Sequence, residues 1–180
     1  MLLISSACGY RFSGKENLPA GVKRVFVTVF ENRTMETGVE ILFTDDIIQE
    51  FIRNRKDSLA NSRTGADAIL SGTVESIRIR TISSEGTHTP LKRRVWATIS
   101  LKLTGSDGRI VWKKNGISES EPYDVMPLKQ ETEQNRRDAL SVLSKKIAER
   151  VYFRLTDDFK ASMVSTSLES LDIFRAAVFL

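Results

Sequence analysis

Alternation of apolar and polar residues predicts the first of four β-strands near the start of the chain. This strand covers residues 22–30, and its apolar side chains fall on both faces: Val25, Phe26, Val27, Val29 and Phe30. Because neither face is purely polar, we expect other parts of the protein to cover both sides of this strand over part of its length. A polar segment at residues 31–38 then reads as a loop.

A second, longer strand is predicted at residues 68–82. Its apolar positions keep one phase up to Val74 and then reappear one step out of phase at Ile77 and Ile79. A β-bulge at residues 75–76 would return both sets of side chains to the core, because a bulge adds one residue to one strand of a pair.

The third strand, residues 95–103, has the cleanest alternation in the chain. Its inward positions are Val95, Ala97, Ile99, Leu101 and Leu103. Residues 105–108 contain two glycines and predict a tight turn, which leads into a fourth strand at residues 109–117. Residues 118–128, with two prolines, are then expected to be a linker.

Helical spacing of apolar residues marks two further segments. Residues 39–55 form an amphipathic helix with its buried stripe at Val39, Phe43, Ile47 and Phe51. Residues 131–155 form a second helix with its buried stripe at Ala139, Leu140, Leu143, Ile147, Val151 and Leu155.

The order of elements is therefore β-α-β-β-β-α, which predicts the α+β class. We expect a two-layer sandwich in which two helices cover one face of a four-stranded, mostly antiparallel sheet. The last three strands pair as a meander, and the first strand joins one edge. Residues 9–156 form a single domain, and residues 157–180 are expected to be a flexible tail.

Composition narrows the function classes. The chain has 180 residues, 41% of them hydrophobic, and a formal net charge of +4. It has no apolar run of the ~18 residues that a membrane-spanning helix needs. Its single cysteine excludes an intramolecular disulfide and a cysteine-based zinc site.

No catalytic set is evident, and we predict that the protein is not an enzyme and binds no cofactor or metal. His88, the only histidine, lies in a polar loop and has no cysteine partner or metal-binding spacing. We interpret it as a solvated loop residue. The adjacent acids Asp45–Asp46 and Asp157–Asp158 point in different directions on a helix, so neither pair makes a two-carboxylate site.

Basic residues cluster on both sides of the loop at residues 83–90. Residues 76–94 contain five basic residues and only one acidic residue, Glu85. The basic residues are Arg78, Arg80, Lys92, Arg93 and Arg94. If the flanking strands pair, these residues meet at one end of the sheet, and guanidinium groups there suit a ligand bearing phosphates. The alternative is a solvated sheet end whose charges protect an edge.

Two tryptophans, Trp96 and Trp112, lie on neighbouring predicted strands and are candidates for a cross-strand pair. We interpret them as packing residues rather than as a platform for stacking bases, because no aromatic-rich RNA motif surrounds them. The net charge of +4 is too mild to prove nucleic-acid binding, and a lipidated Cys8 would place the protein in the wrong compartment for it, so we expect no nucleic-acid partner.

The segment before Cys8 fits the end of a bacterial lipoprotein signal. Ser6 and Ala7 are the small residues that precede a lipidated cysteine, and a short apolar run comes before them. We therefore interpret residues 1–8 as a truncated signal with Cys8 as the lipid acceptor. The alternative is a buried free cysteine near the chain terminus.

Several segments together resemble one known family, that of the LPS-assembly lipoproteins (LptE). They are Cys8-Gly9-Tyr10-Arg11-Phe12, then Leu18-Pro19-Ala20-Gly21-Val22, then Phe30-Glu31-Asn32-Arg33-Thr34, and finally Ala66-Asp67-Ala68-Ile69-Leu70-Ser71-Gly72-Thr73-Val74. The resemblance runs from Cys8 to about Leu155.

This resemblance implies an outer-membrane lipoprotein that faces the periplasm and is anchored through Cys8. It further implies that the domain plugs a large β-barrel partner, helps that barrel to assemble, and binds lipopolysaccharide as the complex delivers it to the outer leaflet. No family motif identifies the ligand residues, so the basic set at Arg78, Arg80, Lys92, Arg93 and Arg94 is our own inference for the lipopolysaccharide phosphates. The alternative is an accessory lipoprotein of another envelope lipid-transport system.

Overall fold

A computed structural model describes residue 18, residues 21–82 and residues 91–177, with side chains described as far as residue 158. The strands are β1 (Val25–Val27), β2 (Glu31–Asn32), β3 (Ala68–Ile82), β4 (Lys92–Gly105) and β5 (Ile110–Asp124). The helices are α1 (Val39–Arg55) and α2 (Lys129–Ala177), and two 3₁₀ turns occupy Lys56–Ser58 and Arg63–Gly65.

The described strands form one mixed sheet in the order β1-β3-β4-β5, and β2 also pairs with β3. β3, β4 and β5 are antiparallel neighbours, whereas β1 and β2 run parallel to β3. Both helices pack on the same side of this sheet. The predicted α+β class is confirmed, and the other side of the sheet, which we call the open face, is left uncovered by α1 and α2.

The core lies between the sheet and the helices, where the alternation predicted it. The five predicted inward residues of β4 are all buried. Both helical stripes are buried as well, and the rings of Phe51 and Tyr152 join the two helices in an edge-on contact with their centroids 5.4 Å apart.

The first predicted strand is interrupted, which differs from our expectation. After Val27 the chain changes phase, so Val29 is 67% exposed and Phe30 is buried instead. The backbone N–H of Phe30 donates to the hydroxyl of Thr44 on α1, 3.0 Å away. The ring of Phe30 lies over Gly72, where a Cβ atom would approach it to 2.6 Å.

The predicted bulge in β3 is confirmed. Val74 pairs with Ile99 and Ser76 with Thr98, so Glu75 is the extra residue. The bulge brings Ile77 against the core, but Ile79 is 41% exposed, contrary to our prediction. β1 and β2 pair with β3 only as far as Val74. Beyond Val74, the edge of β3 that faces away from β4 has no strand beside it within the described residues.

The end of β5 and the length of α2 also differ from prediction. Residues 118–124, expected to be a linker, continue β5, and Pro122 is tolerated because β5 is an edge strand. α2 begins at Lys129 and extends to Ala177, beyond the predicted end at Leu155. The flexibility of residues 157–180 stays a prediction.

A candidate anion-binding site on the open face

Pairing of β3 with β4 brings the predicted basic residues to one end of the sheet. Arg80 lies directly opposite Arg94, and Arg78 lies opposite Trp96. Thr81 and Ile82 pair with Arg93 and Lys92. The two halves of the basic cluster are therefore adjacent in space, as the sequence predicted.

These five residues do not all share one face. Side chains alternate along a strand, so Arg93 lies on the same side of β4 as buried Val95, facing the helical layer. Lys92 makes an ion pair with Asp124, its partner on β5, at 3.2 Å. Three cations remain on the open face, and we call Arg78, Arg80 and Arg94 the arginine cluster.

Trp96 lies in the middle of the arginine cluster. The guanidinium of Arg94 sits 5.9 Å from the centroid of the Trp96 ring, within the range of a cation–π contact. A shallow pocket of about 270 Å³ opens beside them, lined by Arg78, Arg80, Trp96, Thr98 and Ser118. The hydroxyl of Thr98 lies 3.3 Å from that of Ser118 and donates to it.

The arginine cluster has no internal counter-charge. Within the described part of the chain, none of its three guanidinium groups makes an ion pair. Like charges directly opposite one another destabilise a sheet, and Arg80 and Arg94 are such a pair. The Nε atom of Arg94 is buried and makes no hydrogen bond to a described residue. This arrangement is suited to binding an anionic group, phosphate above all.

The sequence analysis also singled out Cys8, His88 and the two tryptophans, Trp96 and Trp112. Cys8 and His88 lie outside the described residues. The predicted pairing of Trp96 with Trp112 is wrong, because Trp96 is opposite Ser120 and Trp112 is opposite Leu103 on the helical side of the sheet. The Trp112 N–H instead donates to Asp158 on α2, 3.1 Å away.

Sequence reasoning treated Trp96 only as a packing residue and so missed its place in the site. The signal was available in the spacing: Trp96 is two residues from Arg94, so both must share a face of β4. Thr98 follows at the same spacing, whereas Ser118 was hidden because its segment was predicted to be a linker.

The Phe30–Thr34 segment makes contacts that support the local fold. The side chain of Asn32 donates to the carbonyl of Glu36 and to the carboxylate of Glu40, and it accepts from the backbone N–H of Thr34. Next to it, Arg33 pairs with Glu31 and lowers the pKa of that carboxyl. These contacts hold the connection between β2 and α1.

Two further features are absent from the described residues. Within them, no three or more histidine, cysteine or acidic side chains are grouped as a metal site. None of the helices in that part of the chain has the length and apolar character needed to cross a membrane.

Solved structures with the same fold include several lipoproteins. A protein of Caulobacter crescentus CB15 named as a lipoprotein matches with a TM-score of 0.53 and 13% identity, over 73% of this chain and 91% of that one. Lipoprotein B of Nitrosomonas europaea matches with a TM-score of 0.54 and 12% identity, over 90% and 96%.

A third match is a homologue of a neuraminyllactose-binding haemagglutinin from Helicobacter pylori, with a TM-score of 0.50 and 13% identity over 89% of this chain and 96% of that one. At such low identities these likenesses show a shared fold only.

No curated protein sequence matches this chain significantly. The LptE family, described as lipopolysaccharide-assembly, matches residues 22–155, which include both helical stripes and the whole sheet. The chain therefore belongs to the LptE family of lipopolysaccharide-assembly proteins.

Proposed function

We propose that this protein is a non-enzymatic lipoprotein subunit of the outer-membrane machinery that inserts lipopolysaccharide into the outer leaflet. In this proposal the domain plugs a large β-barrel partner and helps it to assemble. It is attached to the periplasmic side of the outer membrane through a lipid on Cys8, and it binds lipopolysaccharide directly.

The observation that carries the binding part of this proposal is the arginine cluster around Trp96. Three guanidinium groups without an acidic partner among the described residues offer donors that fit phosphate oxygens in pairs. The half-buried ring of Trp96 supplies a flat apolar surface beside them. Phosphate next to a sugar ring, the chemistry of a lipopolysaccharide headgroup, matches both features.

Charge reversal tests this site. We expect the double variant Arg78→Glu/Arg80→Glu to bind purified lipopolysaccharide about tenfold or more weakly than the wild type, because two attractive charges become repulsive. Both side chains are exposed, so the variant should keep its fold. Fluorescence of Trp96 or isothermal titration calorimetry at fixed ionic strength measures the affinity, and circular dichroism checks folding.

The matched control is Arg63→Glu/Arg154→Glu, which makes the same change in charge at two exposed arginines outside the site. This control should bind nearly as well as the wild type. Equal losses in both double variants would show that only the net charge matters, and unchanged binding in Arg78→Glu/Arg80→Glu would remove the arginine cluster from the mechanism.

A further inference from the structure

A second pair of directly opposed cations lies on the open face, far from the arginine cluster. Lys102 on β4 is the register partner of Lys113 on β5. Both are exposed, and neither makes an ion pair within the described residues. Such a like-charge pair weakens strand pairing unless an anion lies between the two ammonium groups.

These lysines form one wall of a groove of about 530 Å³. Its floor is formed largely by short polar side chains of three strands: Ser71, Thr73, Ser100 and Asn115. On the opposite wall, Arg33 is held between Glu31 and Glu75 at 3.0 and 3.4 Å, and these three groups together carry a net charge of −1. The cationic side of the groove is thus the lysine pair alone.

The groove and the arginine cluster belong to one continuous polar surface. Along β4 the residues that face outwards from Arg94 to Lys102 are Trp96, Thr98 and Ser100. Eight residues separate Arg94 from Lys102, which corresponds to about 27 Å in a strand. Hydroxyl groups therefore connect two unbalanced cation pairs, Arg80–Arg94 and Lys102–Lys113.

We propose that the open face binds an anionic glycan that lies along β4, with one anionic group at the arginine cluster and a second at Lys102 and Lys113. This inference rests on the proposed function, because it assigns the saccharide part of the same ligand to a defined surface and adds a second subsite. The serine, threonine and asparagine side chains between the two ends hydrogen-bond the sugar hydroxyls.

The chemistry of the surface favours a glycan over other extended ligands. A peptide strand pairs with the edge of a sheet rather than with its face. Acyl chains need an apolar lining, whereas most of the side chains that line this groove are polar or charged. Single-stranded nucleic acid is bound through successive aromatic platforms. The two rings on the described open face, Trp96 on β4 and Phe26 on β1, lie towards opposite ends of the sheet and do not form such a row.

The test uses the oligosaccharide released from lipopolysaccharide by complete deacylation, which keeps its phosphates but has no lipid. We expect Lys102→Gln/Lys113→Gln to bind this probe about threefold to tenfold more weakly than the wild type, as two exposed charge contacts are lost. Phosphatase treatment of the probe should remove this difference. The matched control is Lys56→Gln/Lys145→Gln, two exposed lysines of the helical layer, and should bind like the wild type.

Each contrary outcome has a separate meaning. Wild-type affinity in Lys102→Gln/Lys113→Gln, combined with loss in Arg78→Glu/Arg80→Glu, would overturn the second subsite and leave the proposed function standing. Binding of intact lipopolysaccharide but not of the deacylated probe would show that the lipid part is recognised instead, and would overturn the glycan surface. A wild-type protein that binds neither ligand would overturn the proposed function as well.

Discussion

Gly72 and Phe30 make a tight contact within the sheet. Gly72 lies in β3 with its missing side chain directed at the Phe30 ring, and a Cβ atom there would come within 2.6 Å of two ring carbons. The glycine is therefore needed for space, since its backbone conformation is open to other residues. Through this contact the segment that follows β1 is held down on the sheet.

We expect Gly72→Ala to lower the free energy of unfolding by about 1–3 kcal/mol, because a well-packed core has to shift to admit the extra methyl group. Urea denaturation monitored by circular dichroism measures this change. Gly65→Ala is the control: its nearest contact would be the hydroxyl of Ser62 at 3.4 Å, so stability should change by less than about 0.5 kcal/mol. Equal stability of Gly72→Ala and the wild type would contradict the packing described here.

Among the secondary-structure elements, the edge strand β5 is joined to α2 by ion pairs and by a hydrogen bond. Glu119 and Glu121 lie opposite Ala97 and Val95 and so face the helices, where they pair with Arg150 and Lys146. At the other end of β5, Asp158 accepts from the Trp112 N–H and lies 3.9 Å from Lys114. The contacts of Asp158 continue the packing of α2 against the sheet beyond the buried Leu155.

The two adjacent acids of α2 provide a matched test of this fastening. Asp158→Ala should destabilise the protein by about 1 kcal/mol, because the half-buried Trp112 N–H loses its acceptor. Asp157→Ala, a change of the same charge one residue away on an exposed side chain, should shift stability by less than about 0.5 kcal/mol. Chemical denaturation of both variants measures the difference, and equal effects would refute the assigned role of Asp158.

These elements also show where sequence reasoning succeeds. Where burial is one-sided and apolar, as in β4 and the two helical stripes, periodicity predicted the inward residues correctly. The bulge at Glu75 could be predicted in the same way, because the apolar positions of β3 change phase at that point. The approach of Arg78 and Arg80 to Arg94 then followed from the predicted strand pairing.

The features that were not predicted depend on polar contacts, which leave no hydrophobic pattern in the sequence. The end of β5 alternates serine with glutamate, and its inward positions are satisfied by Lys146 and Arg150, so no hydrophobic pattern marks it as a strand. The division of the basic set between two faces, by contrast, was available in the sequence: Arg93 is two residues from the inward-facing Val95, so alternation places it on the helical side. The ion pair between Lys92 and Asp124 was not predicted, because Asp124 was assigned to a linker rather than to β5.

At the scale of the whole molecule, the two ends of the sheet differ. Near the turn between β4 and β5, the chain entering β1 is held by Asp67, whose carboxylate accepts from the backbone N–H groups of Arg24 and Lys23 at 2.8 and 3.0 Å. These two hydrogen bonds lower the pKa of Asp67. The arginine cluster lies at the opposite end of β3 and β4. The described chain therefore enters β1 at the end of the sheet opposite the arginine cluster.

Isolation of the native complex would test whether this protein is a subunit of a lipopolysaccharide translocon. The measurement is an affinity pull-down of the full-length, lipidated protein from detergent-solubilised outer membranes, with mass spectrometry of what is retained. We predict a large β-barrel protein at one-to-one stoichiometry that survives washing with high salt, since a plugged domain is held by buried contacts that salt screens little. Recovery of the protein without any barrel would contradict the claim and favour the accessory lipoprotein of another envelope transport system.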